Sequence, residues 1–452
     1  MNRKPFDAAV IGGGLAGWIA AIELARAGRS VVLLEQSDRM GGRARTADKN
    51  GVLLNLGGHA LYRSGELHAL LREWGVPFEG GPPSSKMSAI WSNRVFPMPA
   101  SPIQLLASRL LSWTGKGELV RLLLKLGRTD TDMPENASLR DWAEKEVRDP
   151  MVRHIFYALC RIATYTQDPD RQLAGPVLRQ VRRSLKDGVL YLNGGWQTIV
   201  DRLEKMGAAA GVHARCGKAV SAIEQTNGAV SRVVCTDGEA FELAHVISTL
   251  PPADTCRLVS NAEHTSLYRW KKEARPSMAA CLDLGLKQLH GPVRDIAIGL
   301  DQPVFFSNHS AGAKLSKHGT IVVHLVKYNG PGESDPRADE RLLEQTMSLL
   351  HPGWEQEVAV RQYLPNMPVV HDYMHLGRTD RFPGPAVPDI QGLYVAGDWA
   401  GHGEMLADAA AASARRAAQR VLAELDRPRA EPVCADETPE GQRPYEISKG
   451  GA

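Results

Sequence analysis

The sequence predicts an α/β protein that opens on a Rossmann-like unit, and three observations carry that expectation. Residues 8–35 read as strand, glycine turn, helix and strand. A second apolar strand near the other end runs into Gly397-Asp398 and an alanine-rich helical stretch. Between them, strand-like and helix-like segments are mixed in the manner of an α+β insertion.

In the first unit the strand covers 8–11, the helix 16–27 and the second strand 31–34, ending on Glu35 and Gln36. Within Gly12-Gly13-Gly14-Leu15-Ala16-Gly17, Gly12 permits the tight turn and Gly14 lets backbone approach a pyrophosphate. Gly17 allows close helix–strand contact, and the helix start presents free N–H groups to the anion. Glu35 then accepts hydrogen bonds from ribose hydroxyls, and a 2′-phosphate would meet a carboxylate there, which disfavours NADP. A GxGxxG turn alone is a weak signal, with a structural turn at a sheet edge as the alternative. Here the strand–turn–helix–strand context and the acid support a dinucleotide site. The next segment, Arg39-Met40-Gly41-Gly42-Arg43 with Thr46 beyond, favours FAD over NAD. An extended FAD runs its pyrophosphate and ribityl chain past that loop, whereas a nicotinamide dehydrogenase has no use for it.

Together with Leu56-Gly57-Gly58-His59, these residues resemble the flavin-containing amine oxidase and phytoene desaturase superfamily, which includes protoporphyrinogen oxidases. Gly392-Leu393-Tyr394-Val395-Ala396-Gly397-Asp398 and the helical stretch 406–421 are similar to its closing FAD motif. Asn193-Gly194-Gly195-Trp196, continuing through Val220 to Thr249-Leu250-Pro251-Pro252, is similar to its middle segment. The resemblance implies an FAD-binding Rossmann-like domain of the GDP-dissociation-inhibitor type. It also implies FAD contacts from Leu15, Ala16, Gly41, Gly42, Arg43, Gly57 and Gly58, from Val220 at the adenine, and from Gly397 and Asp398 at the phosphate or ribityl chain. Leu406 starts the helix that points at the isoalloxazine ring. No cysteine lies just before Gly397, so the flavin is expected to be non-covalent.

The FAD domain is expected from residues 1–80, 190–261 and 388–425, and an α+β substrate domain from the insertions 81–189 and 262–387. In the first insertion residues 88–96 look strand-like, and Ser138-Leu139-Arg140-Asp141 reads as a helix N-terminal box. The second insertion offers strands at 278–286 and 320–326 and a helix at 341–350. The tail 426–452 has too few apolar residues to pack and is expected to be disordered.

Composition fits an enzyme-sized core: 452 residues at 43% hydrophobic content. Fifty-four basic against fifty-one acidic residues leave a net charge of +3, too balanced for a nucleic-acid partner. Six cysteines form no CxxC and no metal-like cluster, and no apolar run approaches the ~20 residues of a membrane span. These features predict a cytoplasmic protein with reduced thiols and no metal. One stretch, 103–113 and 119–126, is apolar with interspersed basic residues, as in interfacial helices. It is a candidate for peripheral membrane contact, with core packing as the alternative.

Oxidised flavin accepts a hydride, so the protein must bring a C–H bond to the ring and exclude water. Amine oxidases of the family carry a lysine in the strand after the Thr-x-Pro segment, and matching Ser277-Met278-Ala279-Ala280 to that strand puts Ala280 in its place. They also carry an aromatic residue before the closing helix, matched here by Leu406. Gly397-Asp398-Trp399 is closer to the polyisoprenoid desaturases. Arg94-Val95-Phe96-Pro97-Met98-Pro99 and Tyr165-Thr166-Gln167-Asp168-Pro169 look like protoporphyrinogen oxidase landmarks, although Asp398 departs from that subfamily's Gly-Asn.

The expected activity is therefore hydride removal from a hydrophobic, isoprenoid- or porphyrinogen-like substrate, with O2 or a quinone as electron acceptor. Amine oxidation is the alternative, and a non-catalytic prenyl- or lipid-binding escort is the alternative of another class. His59 and His402 flank the segments nearest the ring and are the candidate acid–base residues, with a structural role as the alternative. No motif speaks to the oligomeric state or names the substrate.

Overall fold

In the computed structural model the described residues are 6–128 and 134–427. The strands Ala8–Ile11 and Val31–Leu34 are continuous apolar runs buried on both faces, the pattern of a parallel sheet covered by helices. They lie in a five-stranded parallel sheet in the order His213–Arg215, Val31–Leu34, Ala8–Ile11, Val246–Ser248, Leu393–Val395. Strands far apart in the sequence thus become neighbours, so the glycine turn and Gly397 emerge at the same sheet edge.

The helix Leu15–Arg26 covers one face and packs with the closing helix Leu406–Leu425 and with Gln197–Ala209 in a single apolar core. Val220–Thr226, Ala229–Cys235 and Ala240–Glu242 form an antiparallel sheet whose apolar side belongs to the core on the opposite face.

A second, seven-stranded sheet runs in the order Val358–Val370, Ser277–Leu286, Ile321–Asn329, Val304–Asn308, Ile296–Gly299, Met87–Trp91, Arg94–Pro97. Its pairing of Ile296 with Met87 joins the two insertions in one layer. Helix Pro336–Leu350 covers one face through Leu343, Met347 and Leu350, packed on Ala280, Leu282 and Leu284. A helical group, Trp113–Gly127, Leu139–Glu146, Pro150–Thr164 and Ala174–Asp187, packs around Phe156 and Trp142. Ser138 caps its helix as its sequence suggests, accepting from the Asp141 N–H at 3.0 Å. The strand-like stretch near 88–96 is a hairpin turning at Ser92 and Asn93, both in the left-handed region. Of the tail expected to be disordered, only Asp426 and Arg427 fall inside the described residues, and Asp426 pairs with Arg29.

Candidate flavin site

A cavity of about 380 Å³ runs along the carboxyl edge of the parallel sheet, where ligands bind in open α/β folds. Of the expected site residues, Gly12, Gly14, Leu15, Ala16, Glu35, Gln36, Gly41, Gly42, Arg43, Gly58, His59, Gly397, Asp398 and Leu406 line it.

The phosphate end follows from local geometry. Gly12 sits at φ +104°, a region closed to most side chains. A Cβ on Gly17 would lie 1.8 Å from the Gly12 carbonyl oxygen, so only glycine permits this approach of helix to turn. Glu35 holds the turn in shape: its two carboxylate oxygens accept from the N–H groups of Gly13 at 2.6 Å and Ser37 at 2.9 Å. The Gly41 N–H donates to the Gly13 carbonyl at 2.8 Å, tying the second glycine loop to the first.

At mid-cavity, Arg43 joins three segments. Its guanidinium donates to both oxygens of Asp398 at 2.8 and 3.1 Å and to the Val369 carbonyl at 2.6 Å. Asp398 also accepts from the His371 backbone N–H at 2.8 Å and pairs with His371 Nδ1 at 3.1 Å. Burial alone would raise the Asp398 carboxyl, but the Arg43 charge and His371 hold it well below the ordinary carboxylate range. Both of its oxygens are engaged by protein, so Asp398 acts first as the anchor of this wall.

The far end is built from Leu56, Gly58, His59, Ala60, Tyr165, Trp196, Cys281, Met367 and Leu406. Both ring nitrogens of His59 face carbonyls, Gly57 at 2.9 Å and Arg43 at 3.1 Å, and its ring lies 5.2 Å from that of Trp196. Burial lowers the His59 pKa, so the ring is neutral and only one of these contacts is an N–H bond at a time. Tyr165, itself at φ +57°, donates its hydroxyl to the Gly58 carbonyl at 2.9 Å. Burial pushes the Cys281 thiol well above its usual pKa, so it is an uncharged wall group.

Several expectations change. His402 does not reach the cavity. It lines a separate cleft with Arg179, Arg183, Arg381 and Phe382, its ring 5.2 Å from that of Phe382. The closing helix starts only at Leu406, so Leu406, Ala407 and Ala410 are the residues of that segment on the cavity. Val220 is also off the cavity, paired with Cys235 in the outer sheet. The contact with the Glu35 loop is made by its chain neighbours, through Gly217 N–H to the Ser37 carbonyl and Lys218 N–H to the Glu35 carbonyl. Gly57 stands behind the wall, where a Cβ would meet Met367 Cε at 2.8 Å, and Gly17 serves the turn from within the helix. Strand alternation corrects the placement of Ala280: it faces helix Pro336–Leu350, and Cys281 presents its side chain to the cavity.

Sequence reasoning missed Tyr165, Trp196, Cys281, Met367 and His371 as site residues. Tyr165 and Trp196 stood inside quoted motifs, whereas nothing in the local pattern marks the others.

The cavity fits an extended flavin dinucleotide. Helix N–H groups and glycines crowd one end, a carboxylate stands at the ribose position, and a largely apolar chamber closes the other. Trp196 Nε1, buried beside that chamber, has no hydrogen-bond partner among the described residues.

Comparison with known proteins agrees with this geometry. A family model described as flavin containing amine oxidoreductase matches residues 15–422. (S)-6-hydroxynicotine oxidase of Paenarthrobacter nicotinovorans is 26% identical over 56% of this chain and 62% of its own length, so less than two thirds of that relative is spanned. The 15-cis-phytoene desaturase of Solanum lycopersicum is 23% identical over 88% of this chain and 74% of its own. An oxidoreductase structure from Methanosarcina mazei superposes with a TM-score of 0.75 at 21% identity, covering 91% of this chain and 99% of that one.

Proposed function

From the premise that this chain belongs to the flavin-containing amine oxidoreductase family, and is therefore a flavin-dependent oxidoreductase, we propose that its cofactor is non-covalent FAD and its substrate a hydrophobic, isoprenoid- or porphyrinogen-like molecule. The carrying observation is the composition of the flavin end of the cavity. Leu56, Ala60, Cys281, Met367 and Leu406 give it an apolar wall, and the strand Ser277–Leu286 contains no lysine. A charged amine would have to be desolvated there without a carboxylate partner, which is costly.

FAD supplies the hydride acceptor when bound. The protein's own residues do the rest: Gly12 to Ala16 seat the pyrophosphate, Glu35 takes the ribose hydroxyls, and the Arg43–Asp398–His371 clamp fixes the middle wall. Tyr165 and Trp196 bound the flavin end and help keep water from the reacting C–H bond. The electron acceptor in this reading is O2 or a quinone. Amine oxidation remains the second reading, favoured by the two aromatic residues, Tyr165 and Trp196, on the cavity.

Anaerobic mixing of the yellow holoprotein with polyene precursors, porphyrinogens and amines tests the assignment. Bleaching by a polyene or porphyrinogen supports it, and bleaching by amines alone overturns it.

We also infer that delivery of such a substrate involves a membrane surface. Ile103, Leu106, Trp113 and Leu124 are 80, 62, 75 and 66% exposed, with Arg109, Lys116 and Arg121 among them. No helix among the described residues is long and apolar enough to cross a membrane. Flotation with anionic liposomes is the check. Protein left wholly in the soluble fraction refutes the contact.

A further inference from the structure

Helix Ala174–Asp187 carries four basic residues in its second half, Arg179, Arg182, Arg183 and Lys186. Arg179 and Arg183 stand four residues apart, so they share one face of the helix at about 6 Å along its axis. Like charges in that relation repel, yet a third guanidinium, Arg381, is brought to the same place from a distant loop. The three arginines line a cleft of about 430 Å³ that shares no lining residue with the flavin cavity.

The carboxylates around this cleft are mostly engaged elsewhere. Glu404 is held by Arg416 at 2.9 Å and accepts from the His402 N–H at 2.7 Å. Glu135, whose side chain is 56% exposed, pairs with Arg381 at 2.8 Å. Glu66 is exposed and heads the helix Glu66–Glu73, where the helix dipole favours a negative charge. Arg183 reaches the buried Asp408 through a single contact at 3.5 Å, the limit of a hydrogen bond. Arg179 has no hydrogen bond or ion pair with any described residue, although it is half-buried. Burial lowers its pKa, and Arg381, Arg182 and Arg183 act in the same direction against the pull of Glu135. A guanidinium nonetheless keeps its charge, so Arg179 presents a planar fork of donors with nothing to receive them.

We propose that this cleft binds a small dianion, with Arg179 and Arg183 each taking one anionic group and Arg381 closing the third side. Two guanidinium groups set one helical turn apart suit a short dicarboxylate or a phosphate ester better than a monoanion, because each charge meets its own fork. The Phe382 ring lies 5.2 Å from the Arg381 guanidinium and 5.2 Å from the His402 ring, which gives the carbon skeleton an apolar side. Arg183 exchanges its long contact with Asp408 for the ligand. The site is separate from the flavin cavity and does not depend on which substrate is oxidised there.

Isothermal titration calorimetry on the full-length protein, with FAD in excess so that the glycine-turn cradle is not what is titrated, measures succinate and pyrophosphate at physiological ionic strength. One saturable site is expected for at least one of them, and the tighter probe tells a carboxylate ligand from a phosphate one. Arg179→Gln weakens it about tenfold, the scale of one charge-assisted hydrogen bond. Asp408→Asn removes the carboxylate that competes for Arg183 and tightens it about threefold, the scale of a partly exposed ion pair. Arg232→Gln removes the same charge from the outer antiparallel sheet and leaves the affinity unchanged. Arg179→Lys keeps the charge without the fork and falls between wild type and Arg179→Gln, which preserves the test if the glutamine variant folds poorly. No saturable binding of either probe overturns the site. Wild-type affinity in both Arg179 variants, or equal weakening in Arg179→Gln and Arg232→Gln, overturns it as well, and an unchanged affinity in Asp408→Asn overturns the two-point grip.

Discussion

Replacing Arg43 by methionine separates what the Arg43–Asp398 clamp does from what the fold provides without it. Asp398 has a side chain 5% exposed and four contacts, two from Arg43 and two from His371. Arg43→Met leaves the carboxylate buried with His371 alone. Breaking a buried pair by removing one partner costs about 3–5 kcal/mol. Arg43 is itself 37% exposed, so solvent screens part of the interaction and about 2–3 kcal/mol is expected. Asp398→Asn in the same background removes the stranded charge. The double variant should therefore recover part of the loss, with a coupling of about 1–2 kcal/mol in a denaturant-unfolding cycle.

The acid limb gives an independent reading. The folded-state Asp398 pKa lies below the unfolded value of about 3.9, so its contribution is complete above roughly pH 4 and is lost as pH falls below that. In Arg43→Met the folded value rises toward the unfolded one, and that part of the acid dependence flattens. Strict additivity of the two substitutions, or an unchanged acid profile, refutes the clamp.

Asp408, at the start of the closing helix, is buried and its carboxyl is raised to about 6 by burial, while one oxygen accepts from the Leu67 N–H at 3.1 Å. A raised carboxyl loses stability as pH climbs from the unfolded value of about 3.9 to the folded one, so Asp408→Asn should stabilise by up to about 3 kcal/mol above pH 6 and little below pH 4. Thermal melts across that range check it, and a pH-independent difference refutes it. His402→Ala should leave flavin reduction and FAD affinity unchanged, because its ring lies in the arginine-lined cleft. His59→Ala should weaken FAD binding about tenfold through the lost carbonyl contact. Rapid-reaction spectroscopy and FAD titration distinguish the two, and equal effects would refute the placement. Iodoacetamide at mildly alkaline pH should label exposed Cys216 and spare Cys281, whose buried thiol is held protonated. Modification of Cys281 in the folded protein, read by mass spectrometry, would show that its wall opens.

The phosphate end of the site was legible in the sequence because it is local. A glycine turn, the helix it starts and the acid after the next strand all lie within residues 8–35, and their chemistry depends on backbone conformations that only certain residues adopt. Arg43 and Asp398 were legible as motif residues, but their contact was not, since 355 positions separate them. The two strands that carry the turn and Asp398 are brought to one edge by Val246–Ser248 lying between them.

The flavin end depended on tertiary packing. A strand exposes alternate side chains, and no composition says which parity faces the cavity, so Ala280 and Cys281 exchange places between expectation and structure. His402 sits near the closing helix in sequence, yet the loop before Leu406 turns it away. The buried contact of Asp283 with His324 joins two strands across 41 positions, with no spacing that a motif could capture. By itself the sequence determined a dinucleotide fold with its phosphate cradle and an α/β family of flavin oxidoreductases. Only the tertiary structure decided which side chains face the substrate and where a buried charge finds its partner, because both depend on strand parity and cross-sheet register.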